Sequence, residues 1–148
     1  MTARMTCGLT VSLLTTVVLW SGRGYAAEVP QLALQVRAVQ FAGPVADGTL
    51  LVQGSVNSGE PHTGFRVWSE AAQNGAPQRY ILTGRGSHNH RIRVRLVGRD
   101  WQPDVMTGRG MVLMSSDYGA PFSVELDGDQ MLPADTWPLQ LQAVTLLP

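Results

Sequence analysis

An imidazole, a guanidinium and two large aromatic rings fall within the seven residues His62–Trp68, HTGFRVW. A catalytic histidine needs a nucleophile or an acid–base partner positioned beside it. The sequence contains no G-x-S-x-G elbow and no H-E-x-x-H motif, and its one cysteine, Cys7, lies near the start of the chain. We therefore interpret His62 as a turn residue that leads into a strand, and we predict no catalytic residue.

Two other short segments have the residue types of metal ligands. His88 and His90 flank one residue, so a strand would place both imidazoles on one side, but no third ligand has suitable spacing. Asp127 and Asp129 flank Gly128 as in a calcium loop, yet the rest of the EF-hand ligand pattern is missing. We expect a flexible loop and a turn at these positions, and we assign no metal ion and no cofactor.

The run Arg91, Arg93 and Arg95 is a better candidate site. On a strand the three guanidinium groups project from one face, about 6.5–7 Å apart. One interpretation is a solvated sheet face on which cross-strand acids such as Glu125 form weak ion pairs. The other is a basic stripe for sialylated glycans, sulfated glycans or acidic protein patches, because guanidinium binds carboxylate and sulfate bidentately. The three arginines are therefore candidate receptor-binding residues.

Residues 1–26 have the pattern of a secretory signal peptide. Arg4 supplies positive charge, residues 9–20 are uncharged and largely apolar, and small side chains follow up to Ala26. The apolar run is shorter than the roughly 20 residues of a transmembrane helix. We predict cleavage after Ala26, which leaves residues 27–148 as one exported domain without cysteine.

The charge of that domain excludes one class of partner. Loss of Arg4 and Arg23 reduces the eleven basic residues to nine, against eleven acidic ones, and the chain has no lysine. Nucleic-acid-binding domains carry a basic excess that this domain lacks. We therefore expect no nucleic-acid partner.

Short apolar runs of period two, broken by Gly, Pro, Asn and Asp, predict an all-β chain. We expect strands at residues 31–39, 49–56, 65–70, 78–84, 90–98, 111–116, 121–128 and 137–148. The clearest alternation places Ile92, Val94 and Leu96 on the face opposite the three arginines. This number of short strands predicts a single immunoglobulin-like β-sandwich, with a small barrel as the alternative.

The last predicted strand extends to the end of the given sequence. Its inward face would carry Leu139, Leu141 and Ala143, in line with Trp137. If the sandwich needs one more strand beside it, that strand must come from another chain, because an exposed edge and its apolar slot require cover. Leu139, Leu141 and Ala143 are then the candidate lining of a donor-strand groove in an incomplete sandwich.

Four segments in order resemble the AfaD-type invasin family: HTGFRVW, QRYILTG (Gln78–Gly84), HRIRVRL (His90–Leu96) and DWQP (Asp100–Pro103). Members of this family are minor, tip-located subunits of chaperone–usher surface fibres in Gram-negative bacteria. The resemblance implies an immunoglobulin-like sandwich that lacks its last strand. It also implies a periplasmic chaperone that lends a strand, an outer-membrane usher, a neighbouring subunit that replaces the lent strand, and a host-cell receptor. The chain would pass through the periplasm to the cell surface.

Two points stay open at this stage. Residues 32–39 fit either the first strand of the body or a segment donated to a neighbour. Members of the family commonly carry a disulfide, which the resemblance places near Ser58 and Thr145, and neither residue can form one. Loss of a disulfide costs about 2–5 kcal/mol, so we expect this domain to depend more on its core and on a donated strand.

The resemblance favours an adhesin or invasin at a fibre tip that contacts host cells without catalysis. One alternative is an assembly initiator or cap that binds no receptor. Another is a self-sufficient secreted sandwich, either a carbohydrate-binding module or a hydrolase, in which Trp68, Trp101 and Trp137 would stack on sugars. A gain in stability from a donor peptide separates the two fibre hypotheses from the secreted module.

Overall fold

The computed structural model describes residues 29–36 and 42–148, and the backbone of two N-terminal strands at residues 2–7 and 12–16. Within these residues lie fifteen strands, and no helix there is long and apolar enough to cross a bilayer. In chain order the strands are β1 (Thr2–Cys7), β2 (Ser12–Thr16), β3 (Gln31–Val36), β4 (Gly43–Val45), β5 (Leu50–Asn57), β6 (Gly64–Ser69), β7 (Ala72–Gln73), β8 (Arg79–Thr83), β9 (Arg91–Val97), β10 (Gln102–Pro103), β11 (Met111–Met114), β12 (Gly119–Leu126), β13 (Gln130–Leu132), β14 (Trp137–Pro138) and β15 (Leu141–Leu146).

Two large sheets pack face to face. Sheet A has the order β10-β11-β6-β15-β1-β14, with β2 paired to β1, and sheet B has the order β3-β5-β12-β9-β8-β7. One apolar cluster joins their inward faces: Phe65, Val67 and Leu141 come from sheet A, Val52 and Val124 come from sheet B, and each has no exposed surface. The predicted β-sandwich is therefore confirmed.

Strand periodicity decides which side chains enter this core. In β9, Ile92, Val94 and Leu96 are buried while Arg91 and Arg93 are exposed, so the predicted facing of this strand is confirmed. Each of the predicted strands overlaps an observed one, although residues 37–39 of the first lie outside the described residues. The shortest strands carry too few residues to show a period in the sequence.

The first strand of the domain belongs to its body. β3 pairs antiparallel with β5 through six residue pairs, from Gln31 opposite Asn57 to Val36 opposite Val52. It forms one edge of sheet B, and Leu32 is buried in the core. Of the two interpretations of residues 32–39, the structure supports the body strand for the residues up to Val36.

An added strand fits the edge of β15 that faces away from β6. β1 lies antiparallel along this edge and along β14, with Thr2 opposite Gln142 and Cys7 opposite Trp137. β1 itself falls in the predicted signal peptide. The cleavage position, Ala26, lies outside the described residues, so the division of the chain at this point stays a prediction.

The middle of sheet B needs a glycine. Gly54 of β5 pairs with Leu34 on one side and Phe122 on the other, and both neighbouring side chains lean over it. A Cβ atom at this position would lie 2.5 Å from Cζ of Phe122 and 2.9 Å from Cδ2 of Leu34. Both distances are below normal van der Waals contact, so the aromatic ring takes the space that a side chain would occupy.

Candidate binding surfaces

The arginine stripe lies on the outer face of sheet B, as its spacing predicts. Arg91 and Arg93 are exposed, whereas Arg95 is partly buried. Arg95 donates to Glu125 on β12, which is its direct cross-strand partner, at 3.1 Å, and to Asp47 and Asp127 at 3.0 and 3.2 Å. The predicted cross-strand ion pair is therefore present.

These contacts divide the stripe into two parts. Burial would lower the pKa of Arg95, but its hydrogen bonds to Glu125, Asp127 and Asp47 outweigh burial and raise that pKa. The charge of Arg95 is thus balanced within the protein. Arg91 and Arg93 keep guanidinium groups exposed to solvent, although Nε of Arg93 also donates to the carbonyl oxygen of Asp127 at 3.4 Å.

The candidate groove residues sit beneath the edge where β1 pairs. Leu139, Leu141 and Ala143 are buried, with 1%, 0% and 4% of their surface exposed. Gln140 takes the left-handed conformation at φ 50° between β14 and β15, so the chain turns there without moving the apolar side chains out of the core. If β1 is removed with the signal peptide, the edge of β15 and the apolar row beneath it become available for pairing with another strand.

His62 is a structural residue that joins two loops. Its Nδ1 lies 2.7 Å from the carbonyl oxygen of Glu60, and its Nε2 lies 2.7 Å from the carbonyl oxygen of Asp117. The ring is buried and packs at 4.5 Å, between centroids, on Phe65. Both ring nitrogens face backbone carbonyl oxygens, which agrees with the turn that we predict at this residue.

A second cluster forms around Arg66 of the same segment. Its Nε donates to Oδ2 of Asp104 at 2.6 Å, and its guanidinium carbon lies 4.3 Å from the ring centroid of Trp68. Asp104 also accepts from N and Oγ1 of Thr107, at 3.1 and 2.8 Å. Burial would raise the pKa of Asp104, but the hydrogen bonds from Thr107 and Arg66 lower it below the ordinary value. The cluster holds the loop between β10 and β11 against sheet A.

The sequence pattern does not reveal this cluster. Arg66 and Asp104 are 38 positions apart, and only the pairing of β6 with β11 brings them together. Period-two alternation separates Arg66 and Trp68 from Phe65 and Val67, which lie on the other face of the strand, but it gives no partner across the sheet. The one sequence feature that points to this cluster is the charged Arg66 between two residues that are buried in the structure.

The histidine and aspartate segments serve as anchors of loops. Nδ1 of His90 lies 2.7 Å from Oδ2 of Asp135, and Asp135 also accepts from the backbone N–H groups of Gly86 and Thr136. Burial would raise the pKa of Asp135, whereas these three hydrogen bonds lower it. Within residues 29–36 and 42–148, no group of three His, Cys, Asp or Glu side chains could hold a metal ion.

The turn at Gly128 also has a structural role. Gly128 has a φ of 91°, and its N–H donates to Oδ1 of Asp47 at 2.7 Å. Oδ1 of Asp129 in turn accepts from the N–H of Asp47 at 2.7 Å. The hydrogen bond from Gly128 lowers the pKa of Asp47, and Arg95 adds to that effect. The predicted turn is present: the carboxylate of Asp129 binds the neighbouring loop, and that of Asp127 accepts from Arg95.

Comparison with known proteins identifies the family. The family described as Enterobacteria AfaD invasin protein matches residues 41–143. The chain belongs to the AfaD invasin family. Protein AggB of Escherichia coli is 30% identical over 127 residues, which cover 85% of this chain and 81% of that protein. The predicted family is therefore confirmed.

Solved structures confirm the fold. The SafD adhesin of Salmonella is 44% identical, with a TM-score of 0.78 over 81% of this chain and 86% of that structure. The Escherichia coli minor tip subunit HdaB is 24% identical, with a TM-score of 0.74 over 82% of this chain and 85% of that structure, and it supports the fold alone. The fold of this AfaD-family chain is thus the immunoglobulin-like sandwich of fimbrial subunits, and the chain is a fimbrial subunit of the adhesin and invasin type.

Proposed function

We propose that this AfaD-family chain is the tip-located minor subunit of a chaperone–usher fibre and binds host cells without catalysis. The observation that carries the proposal is the edge of β15, where a strand lies antiparallel above buried Leu139, Leu141 and Ala143. That strand, β1, comes from the predicted signal peptide of residues 1–26. After cleavage the edge is open, and a strand from another protein takes its place.

The proposed assembly order comes from the AfaD family, and the chemistry of that edge explains why the subunit needs a lent strand. A periplasmic chaperone lends the first strand to residues 27–148, because an unpaired edge beside apolar side chains invites aggregation. At the outer-membrane usher the neighbouring subunit's N-terminal segment replaces it. The completed subunit then stands on the cell surface, where fimbriae act.

A donor peptide tests this assembly mechanism. Residues 27–148 are purified without chaperone, and the midpoint of thermal unfolding is followed as a peptide with alternating apolar residues is added. Binding to the folded state alone stabilises it by about 2.7 kcal/mol at a concentration one hundred times Kd. The matched control is the same peptide with an aspartate in place of the central apolar residue, and it should have no effect. A domain that unfolds reversibly at the same temperature with both peptides would contradict the mechanism.

The exposed arginines are the proposed anion-binding residues. The double variant Arg91→Gln/Arg93→Gln removes both solvent-exposed charges and leaves the ion pairs of Arg95 in place. We expect reduced binding to epithelial cells with an unchanged unfolding midpoint. Arg85→Gln, an exposed arginine outside the stripe, is the control. Equal binding by the double variant and the control would exclude the stripe.

Fibronectin is the first soluble receptor to test. The structure of Escherichia coli AAF fimbriae, 25% identical to this chain with a TM-score of 0.73, was determined in work on fibronectin binding and biofilm formation. Immobilised fibronectin, with albumin as the control surface, gives a direct assay of the purified subunit. If the parent protein binds fibronectin and the Arg91→Gln/Arg93→Gln variant does not, the arginine stripe is the surface that binds fibronectin.

A further inference from the structure

We infer that one end of the sandwich is the docking surface for a host protein with an apolar centre and a rim of Lys or Arg side chains. We call this surface the acidic end and define it as residues 57–64, 113–118 and 145–147. The inference rests on the proposed function, because it names the part of the subunit that meets the host cell. Four observations carry it: exposed apolar side chains, a rigid frame, a charge of one sign and a position away from the fibre.

The three segments meet because strands from both sheets end there. Met114 at the end of β11 pairs with Gly64 at the start of β6, and Gly64 pairs with Leu146 at the end of β15. Asn57 at the end of β5 pairs with Gly119 at the start of β12, directly after Tyr118. The register therefore places the residues that follow or precede these strands at one end of the molecule.

Large apolar side chains point into solvent at this end. Met114 and Tyr118 are each 67% exposed, and Leu147 is 41% exposed. Between Met114 and Leu146, Gly64 adds no side chain, and a Cβ there would lie 2.5 Å from the carbonyl oxygen of Leu113. Met and Tyr are enriched in protein interfaces, and Met adapts its shape to a partner. Exposed apolar groups gathered at one place mark such interaction sites.

The backbone beneath these side chains is held rigidly. The buried ring of His62 contacts the carbonyl oxygens of Glu60 and Asp117, which belong to two different loops. The N–H of Ser58 donates to the carbonyl oxygen of Tyr118, and the N–H of Thr63 to that of Leu146, both at 2.8 Å. A surface that is already ordered loses little conformational entropy when a partner binds.

The charge of the acidic end indicates the chemistry of the partner. Glu60 and Asp117 are exposed, and the three segments contain no Lys or Arg. A partner with Lys or Arg around its apolar centre complements this charge, while an acidic partner is repelled. The acidic end therefore favours a basic partner surface, whereas the arginine stripe would favour an acidic one.

The direction of β15 places this surface away from the fibre. β15 runs from Leu141 towards the acidic end. A strand that pairs antiparallel with its edge therefore begins nearer the acidic end and ends nearer the opposite end of the sandwich. β1 shows this direction, since Thr2 is opposite Gln142 and Cys7 is opposite Trp137. A donor strand that follows the same path keeps its own subunit at the opposite end. The acidic end is then the free, outermost surface of the tip.

Two double variants of the donor-complemented protein test the inference on epithelial cell monolayers. Met114→Ser/Tyr118→Ser removes the apolar centre, and Glu60→Gln/Asp117→Asn removes both charges. We expect each pair to weaken cell binding about tenfold, which corresponds to about 1.4 kcal/mol of binding free energy. The effect of the charge pair should disappear at high salt, because salt screens exposed charges. Trypsin treatment of the cells should abolish binding.

Matched controls lie at the opposite end of the sandwich. Met106 is 92% exposed in the loop before β11, and Glu70 follows the last residue of β6. Met106→Ser and Glu70→Gln repeat the same chemical changes there and should bind cells as the parent protein does. All variants should keep the parent unfolding midpoint, which excludes loss of binding through misfolding.

The outcomes separate this inference from the proposed function. If the parent protein does not bind the cells, the proposed function fails and the docking surface fails with it. If the parent binds and both double variants bind equally well, only the docking surface is wrong. Loss of binding in Met106→Ser, with none in Met114→Ser/Tyr118→Ser, would move the contact to the opposite end. Binding that survives trypsin but not glycosidase treatment would overturn a protein partner.

Discussion

The contact between Arg66 and Asp104 gives the sharpest test of how this domain is held together. Asp104→Ala removes one carboxylate that accepts three hydrogen bonds, from Arg66 at 2.6 Å and from Thr107 at 2.8 and 3.1 Å. The Asp104 side chain is 7% exposed and that of Arg66 is 20% exposed. The substitution therefore leaves a guanidinium group largely buried without its counter-charge.

The expected loss of stability follows from that geometry. Removing one partner of a buried ion pair costs about 3–5 kcal/mol. Arg66 keeps some exposure and its hydrogen bonds to Thr107 and Arg109, so we expect the lower limit, about 3 kcal/mol. For a domain of this size each kcal/mol lowers Tm by about 4 °C, which predicts a decrease of about 12 °C in differential scanning calorimetry of the donor-complemented protein.

Acid provides a second measurement of the same contact. The pKa of Asp104 is lower in the folded protein than the value of about 3.9 in an unfolded chain. The stabilisation is therefore present above about pH 3.9 and is lost as pH falls through the folded pKa. The difference in unfolding free energy between the parent protein and Asp104→Ala should be constant at neutral pH and narrow in acid.

Asp104→Asn is the matched control, because it keeps the shape and removes the charge. We expect its Tm to lie between those of the parent protein and Asp104→Ala. Equal Tm values for all three proteins at neutral pH would refute the reasoning. In that case the loop between β10 and β11 would not depend on its ion pair.

Three further substitutions test other contacts by thermal unfolding at neutral pH. Gly54→Ala should cost about 1–3 kcal/mol, because the new methyl group overlaps Phe122; an unchanged Tm would show that the ring moves freely. Asp135→Ala should cost about 2 kcal/mol of unfolding free energy, since two backbone N–H groups and His90 lose their acceptor. This difference from the parent protein should vanish as pH falls below the lowered pKa of Asp135. Arg95→Gln should cost about 1 kcal/mol of unfolding free energy, since ion pairs that stay partly exposed to solvent contribute little. A cost above that of Asp135→Ala would contradict this ranking of the two substitutions.

Periodicity predicted the longer strands well because these strands bury one face and leave the other face more exposed to solvent. The alternation of Ile92, Val94 and Leu96 with Arg91 and Arg93 requires a half-buried strand, and the structure has one. Short strands such as β7 and β10, of two residues each, have no period to detect. They arise from pairing with longer neighbours, which is tertiary information.

Side-chain partners were less predictable than strands. Glu125 could be proposed as the partner of Arg95 because neighbouring strands of one sheet were expected to pair them. Asp104 and Asp135 could not be matched to Arg66 and His90, since loops bring these groups together from 38 and 45 positions away. A loop position depends on the whole fold, whereas a strand position depends mainly on its neighbours in the sequence.

If signal-peptide cleavage removes β1, as we propose, the uncovered edge of β15 also has a kinetic consequence for the cell. A strand edge above a buried apolar row accepts any chain with alternating apolar residues, including a second copy of this protein. Such self-pairing needs two molecules, so its rate rises with the square of the concentration of uncapped subunit, whereas capping by a chaperone in excess rises only in proportion. The fraction lost to aggregates should therefore increase with expression level unless the chaperone is made in step with the subunit.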